Sequence, residues 1–178
     1  AKRLYDGQGM SDRNFRALKL FHRAAEAGHA QAQLWVGYCY ANGQGVPKDK
    51  AEAVKWFRKA ALQGSAKAQF YLGSSYLQGE GVQKDGAAAV NWYRKAAEQG
   101  YAEAQFYLGR MYKEGQGVPK EYAQAYKWFL LAAAQGQYEA QRHSGYLEND
   151  SNVNPELRAA GQRMAHEFKP KQAPPADG

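Results

Sequence analysis

Cysteine is almost missing: Cys39 stands alone in 178 residues, so the chain can close no internal disulfide. Long apolar runs are missing too. No stretch approaches the ~18 apolar residues of a membrane-spanning helix, and no charged head followed by an apolar core marks a secretion signal, so the chain reads as soluble while secretion stays open. Catalytic signatures are equally scarce. There is no Cys-x-x-Cys, His-Glu-x-x-His, Gly-x-Ser-x-Gly or Ser-x-x-Lys, which leaves zinc hydrolases and serine acyl enzymes without support. His143 and His166 have no evident partners, and Gly28 breaks any helix between His22 and His29, so a metal site is not expected and neither is a cofactor. Acidic residues are outnumbered, 17 against 24 Lys and Arg, for a net charge of +7.

What the chain does contain is a period. Trp56, Trp92 and Trp128 stand 36 residues apart, as do Gly28, Gly64, Gly100 and Gly136, and again Gly37, Gly73, Gly109 and Gly145. A fixed period of this size is the mark of a solenoid of supersecondary units. A turn recurs with it, as Gly43-Gln44-Gly45-Val46, Gly79-Glu80-Gly81-Val82 and Gly115-Gln116-Gly117-Val118, with a weaker copy at Gly7-Gln8-Gly9-Met10. These turns follow helices and lack a Gly-Lys-Ser/Thr ending, so they do not read as phosphate loops.

Each unit reads as two helices. From Asp85 to Gln99, the spacing of Ala89, Trp92, Ala96 and Ala97 makes one apolar stripe, with Asn91, Arg94, Lys95 and Glu98 turned away; this is a B helix. Gly100 stands where a left-handed cap is wanted, and Tyr101 to Glu114 continues as the A helix of the next unit, with Ala104, Leu108, Gly109 and Tyr112 at helical spacing. Such short stops place neighbours antiparallel, with small residues letting backbones approach around a single tryptophan.

The string Gly-x-Gly-Val, Ala-x-x-Trp-Phe/Tyr-x-x-Ala-Ala, Gly, Ala, Leu-Gly, Tyr-x-x-Gly resembles the Sel1-like repeat, a relative of the tetratricopeptide repeat, over roughly residues 1–148. The resemblance implies an all-α fold: a right-handed superhelical α/α solenoid that acts as an adaptor or scaffold for protein complexes, often in bacterial envelopes or signalling, and it implies no catalytic residues. A periplasmic or envelope location follows by the same resemblance, with the cytoplasm left open. The lone Cys39 separates this chain from the cysteine-rich branch of the family, in which a disulfide staples each helix pair. Its register mates are Ser75 and Met111, which suits a small half-buried side chain and no thiol chemistry.

Taken in order, the register predicts a partial repeat at 1–28, full repeats at 29–64, 65–100 and 101–136, a degenerate repeat or cap at 137–168, and a disordered tail at 169–178 rich in proline and polar residues. Ala1 falls in the register of Gly37, so upstream residues are expected. Leu20 and Phe21 take the places of Trp56 and Phe57, and Pro155 to Phe168 is the closing B helix with proline in its first turn.

Two surfaces invite function. Arg58, Lys59, Arg94, Lys95 and Lys127 fall on the outer sides of B helices, where a solvated face is needed anyway, so nucleic acid is the lesser reading of the positive charge. On A helices, with residues about 100° apart, Ala68, Leu72 and Tyr76 define the buried direction and leave a second stripe on the far side. Its members are Leu34, Trp35 and Tyr38 in one repeat, Phe70, Tyr71 and Ser74 in the next, then Phe106, Tyr107 and Arg110, and last Arg142 and His143. These side chains either pack A helices together or, as the resemblance to the tetratricopeptide fold implies for this side of helix A, line a concave groove for a peptide or protein ligand, acidic if it meets the basic end at Arg110 and Arg142. Aromatic and arginine enrichment favours the groove. The expected function is therefore a noncatalytic protein-interaction module, with a nucleic-acid-binding surface or an enzyme without a recognisable motif as the alternatives.

Overall fold

The structure is a computed structural model that describes residues 12–171, with side chains described from residue 19 onward. The turn at Gly7 to Met10, the first eleven positions of the 1–28 partial repeat and the tail beyond Lys171 lie outside the described residues. Among those described, the elements are helices throughout: α1 (Asp12–Glu26), α2 (Ala30–Asn42), α3 (Lys50–Leu62), α4 (Ala66–Gln78), α5 (Gly86–Glu98), α6 (Ala102–Glu114), α7 (Tyr122–Ala134), α8 (Tyr138–Glu148) and α9 (Pro155–His166). The odd-numbered helices are B helices and the even-numbered ones A helices. They form two compact units that divide between Lys84 and Asp85.

In the first unit, α1 to α4, the start of α3 is fixed by Asp49, whose carboxylate accepts from the Glu52 N–H at 2.9 Å. The α2–α3 pair closes around Phe57, not around the tryptophan: a Cβ added to Gly37 would sit 2.6 Å from the Phe57 ring. Trp56 and Phe57 are both buried. Leu20 and Phe21 do not repeat that role, since both are exposed and Phe21 stacks on Trp35 with ring centroids 6.3 Å apart. Lys50 reaches across to Glu80 at 2.7 Å, tying the start of α3 to the turn after α4.

The second unit, α5 to α9, repeats the logic. Asp85 caps α5 by accepting from the Ala88 N–H at 2.9 Å. Gly109 again admits a phenylalanine, with Phe129 2.8 Å from where its Cβ would be. In α5 it is Tyr93 that is fully buried, and Trp92 is only half-buried beneath the Lys95 ammonium, 4.3 Å from its ring. Of the expected stripe, Ala89, Ala96 and Ala97 are fully buried, and only Trp92 yields its place in the core to its neighbour Tyr93. Arg94 is not a purely solvated charge either: its guanidinium donates to the Tyr112 hydroxyl at 2.9 Å, as Arg58 does to Tyr76 at 2.6 Å in the first unit. The last helix starts at Pro155 behind an Asn154 cap and packs on α7. The tail expected from residue 169 begins with an anchored segment, because Lys171 is hydrogen-bonded to Glu98.

One repeated device was not expected. Gln33, Gln69 and Gln105, 36 residues apart, are all buried, and each side-chain amide donates at 3.1 Å to a carbonyl near the C-terminal end of the preceding B helix, at Ala25, Ala61 and Ala97. Helix C-termini leave carbonyls without intrahelical partners, and these glutamines supply donors to them. Gln33 and Gln105 also accept from Gln63 and Gln135, at 2.7 and 2.8 Å, so each joins the ends of two successive B helices.

Candidate functional site

In the first unit the outward residues of α2 and α4 do meet. Trp35 is 47% exposed, packs edge-on to Tyr38 at 6.0 Å, and Tyr38 in turn lies 6.3 Å from Tyr71. Tyr71 is held from behind by a stacked Phe57 at 5.2 Å. Two clefts open on either side of the Tyr38–Tyr71 contact. One, of about 220 Å³, is walled by Trp35, Tyr38 and Tyr71 with buried Leu34 at its base and Lys67 and Gln31 at its rim. The other, of about 260 Å³, includes Phe70, Ser74, Ala41 and Gln78 and ends at the Lys50–Glu80 pair. The surface is apolar in the middle and polar at the rim, the usual anatomy of a peptide contact.

In the second unit the stripe again loses a member to the core, as it does at buried Leu34 in the first. Phe106 is 8% exposed, enclosed by Phe129 at 5.9 Å, His143 at 5.4 Å and Tyr107 at 5.5 Å, so its expected place on an outward anchor stripe is corrected: it is core. The physical reason is His143, which α8 lays over it. Tyr107 stacks on buried Tyr93 and stays half-buried. Arg110 is paired with Glu114 at 3.2 Å and lies over the Tyr107 ring, while Arg142 is paired with Glu139 at 3.5 Å and donates to the Tyr146 hydroxyl. The two arginines expected to form a basic end are thus each neutralised by a carboxylate of their own helix. Burial, together with the nearby Lys113 and Arg110 charges, pushes the His143 imidazole below its usual range, and its Nδ1 is buried without a hydrogen-bond partner.

Among the described residues no three His, Cys, Asp or Glu side chains come together to hold a metal ion, and no helix is long and apolar enough to cross a membrane. Burial pushes the Cys39 thiol up, which keeps it protonated and poorly nucleophilic.

A further cleft, on the B-helix side of the second unit, escaped sequence reasoning. It measures about 360 Å³ and lies where the segment after α9 crosses Trp128 and Lys127 of α7 toward Glu98 of α5.

Four consecutive matches to the Sel1 repeat cover residues 1–29, 30–65, 66–101 and 102–137. No curated protein sequence matches the chain. Among solved structures, c5321, a protective antigen of uropathogenic Escherichia coli with an SLR fold, is 38% identical over 90% of this chain with a TM-score of 0.77. This chain spans only 35% of that protein's length. A Sel1 repeat protein from Oxalobacter formigenes is 38% identical, with 73% of this chain and 98% of that one covered and a TM-score of 0.68. Cysteine rich protein B of Helicobacter pylori, at 24% identity, 75% and 97% coverage and a TM-score of 0.59, shares the fold.

Proposed function

We propose, from the premise that this chain belongs to the Sel1 repeat family, that it is a noncatalytic interaction module that takes a peptide or protein segment on the outward face of its A helices. Sel1 repeat proteins are all-α tandem-repeat solenoids that generally mediate protein–protein interactions and are generally not enzymes. The observation that carries the finer reading is the half-exposed Trp35 beside Tyr38 and Tyr71, flanked by a cleft on either side. A rigid aromatic wall of this kind presents large contact area at low cost in side-chain entropy. The face groups Leu34, Trp35, Tyr38, Phe70, Tyr71 and Ser74 in one unit; in the other, Tyr107, Arg110, Arg142 and His143 supply a more polar counterpart around buried Phe106. An acidic ligand is favoured only weakly, through Lys67 at the rim of the smaller cleft. Nucleic acid is disfavoured because the B-helix cations are engaged: Arg58 and Arg94 bind tyrosine hydroxyls, and Lys59 and Lys95 lie over indole rings.

The test is selection of peptides from a random display library on the full chain, followed by calorimetric titration of those enriched. Trp35→Ser should weaken them at least about thirtyfold, an aromatic anchor contributing about 2 kcal/mol or more, while the melting temperature falls by only about 2–4 °C. Affinity should change little as salt rises, whereas phosphate recognition would decline steeply. Enriched peptides indifferent to Trp35→Ser, Tyr38→Ser and Tyr71→Ser would refute the assignment of this face.

A further inference from the structure

The segment that leaves α9 does not run off into solvent. Phe168 meets Trp128 edge to face at 5.6 Å, and the Lys127 ammonium lies 4.4 Å from the Trp128 ring and 5.5 Å from the Phe168 ring, so one cation serves two aromatic faces. Pro170 then passes beside Gly100, its ring 3.6 Å from where a Cβ there would be. Lys171 finishes the path twice over: its backbone N–H donates to the Glu98 carbonyl at 2.7 Å, and its ammonium pairs with the Glu98 carboxylate at 2.7 Å. Glu98 is the last residue of α5, so the carbonyl is one that its own helix cannot satisfy.

We propose that this B-helix face of the second unit is a second peptide-binding site, separate from the A-helix face, which takes extended segments of the pattern aromatic-x-Pro-Lys, and that the chain's own Phe168-Lys169-Pro170-Lys171 occupies it as a competing self-ligand. Each recognition element has its complement on the protein. The aromatic ring meets Trp128 under Lys127. The proline holds the segment extended, and the lysine finds both a main-chain acceptor and a carboxylate. The self-ligand leaves room along its path: a cleft of about 360 Å³ is bounded by Glu98, Lys127, Trp128 and Met164 on one side and by the segment's own Glu167, Phe168, Lys169 and Lys171 on the other. That volume is of the size small ligand sites have. A segment with a larger aromatic group at the Phe168 place has that room to fill, and so competes with the tail for the same wall of α7.

The probe is a fluorescein-labelled peptide carrying residues 166–173, titrated by anisotropy against full-length chains. The intact chain should bind it at least tenfold more weakly than the Phe168→Ser/Lys171→Glu double variant, because a tethered tail competes at an effective concentration in the millimolar range. A peptide with tryptophan in place of the phenylalanine should bind the double variant more tightly still. Adding Glu98→Lys to the double variant should abolish capture of the probe, and a peptide with glutamate at the Lys171 place should restore it. Thermal melts on the same samples report folding. Should the double variant melt early, Lys171→Glu alone, which frees only the charged end of the tail, should still raise probe affinity severalfold over the intact chain. Equal affinity of the intact and tail-disabled chains, no saturable binding to the tail-disabled chain, or indifference to Glu98→Lys would each overturn the proposal.

Discussion

Phe106→Ala separates core from recognition surface, because Phe106 shares its register with Phe70 and Leu34 and was expected on the binding face. The ring is nearly enclosed, with Phe129, His143 and Tyr107 as aromatic neighbours. Truncating a phenylalanine in such a place removes its transfer free energy and leaves a cavity that rigid rings cannot collapse into, at a cost of about 3–5 kcal/mol. Trp35→Ala is the control. Nearly half of that side chain already meets solvent, and its described ring contacts are Phe21 and Tyr38, so its loss should cost only about 1 kcal/mol. For a chain of this length about 1 kcal/mol shifts the melting temperature by roughly 2–4 °C. Circular dichroism melts should therefore show a drop of roughly 6–20 °C for Phe106→Ala and of about 2–4 °C for Trp35→Ala. Equal shifts, or a Phe106→Ala shift below about 3 °C, would sink the placement of Phe106 in the core.

Gln105→Leu removes a donor to the Ala97 carbonyl and an acceptor for Gln135, but that carbonyl keeps the Gly100 N–H, so denaturant titration should show a loss of about 1–2 kcal/mol. Gln141→Ala, at the matching but exposed place in α8, should be close to neutral in the same titration. Gly64→Val forces a branched residue onto φ +90° and should destabilise by well over about 1 kcal/mol, while Gln63→Ala, which loses one partly buried hydrogen bond, costs less; chemical melts of both decide it. Stability should also fall as pH drops below 6.5, the ordinary histidine value, because the folded His143 has its pKa depressed and the unfolded chain takes up the proton first. The decline should level off below the folded pKa, and in His143→Gln the pH-dependent melts should flatten in that window, well clear of Asp150, whose carboxyl the Asn152 hydrogen bonds hold below the ordinary aspartate value.

The period was legible because glycine and tryptophan tolerate few substitutes at turns and packing points. The Asp49 and Asp85 caps are ordinary start signals that the period overshadowed, and the structure supplies them. Less visible was which of two adjacent outward residues on an A helix would be covered. Periodicity within one helix treats Phe106 and Tyr107 alike, and the choice between them is made by His143, 37 positions beyond Phe106, on a different helix. The tryptophan stripe misled in the same way: in a helix pair closed by Gly109, the ring that fits against the glycine belongs to Phe129, next to Trp128. The Lys171–Glu98 lock joins residues 73 apart, and a polar, proline-containing tail carries no local signal for it.

The glutamine ties set a rule for recombining this chain. Gln105 holds the Ala97 end of α5 on one side and Gln135, the C-cap residue of α7, on the other, so the hydrogen-bonded object is a junction and neither helix pair owns it. A cut that removes one helix of a pair strands a buried amide facing the wrong surface. Excision of the 36 residues 66–101 instead brings Gln105 into register with the Ala61 carbonyl, which already accepts such a bond from Gln69, so every tie finds an equivalent partner. Gene-level shuffling of such arrays is therefore quantised: whole repeats can be lost or gained with the polar core still satisfied, and half repeats cannot.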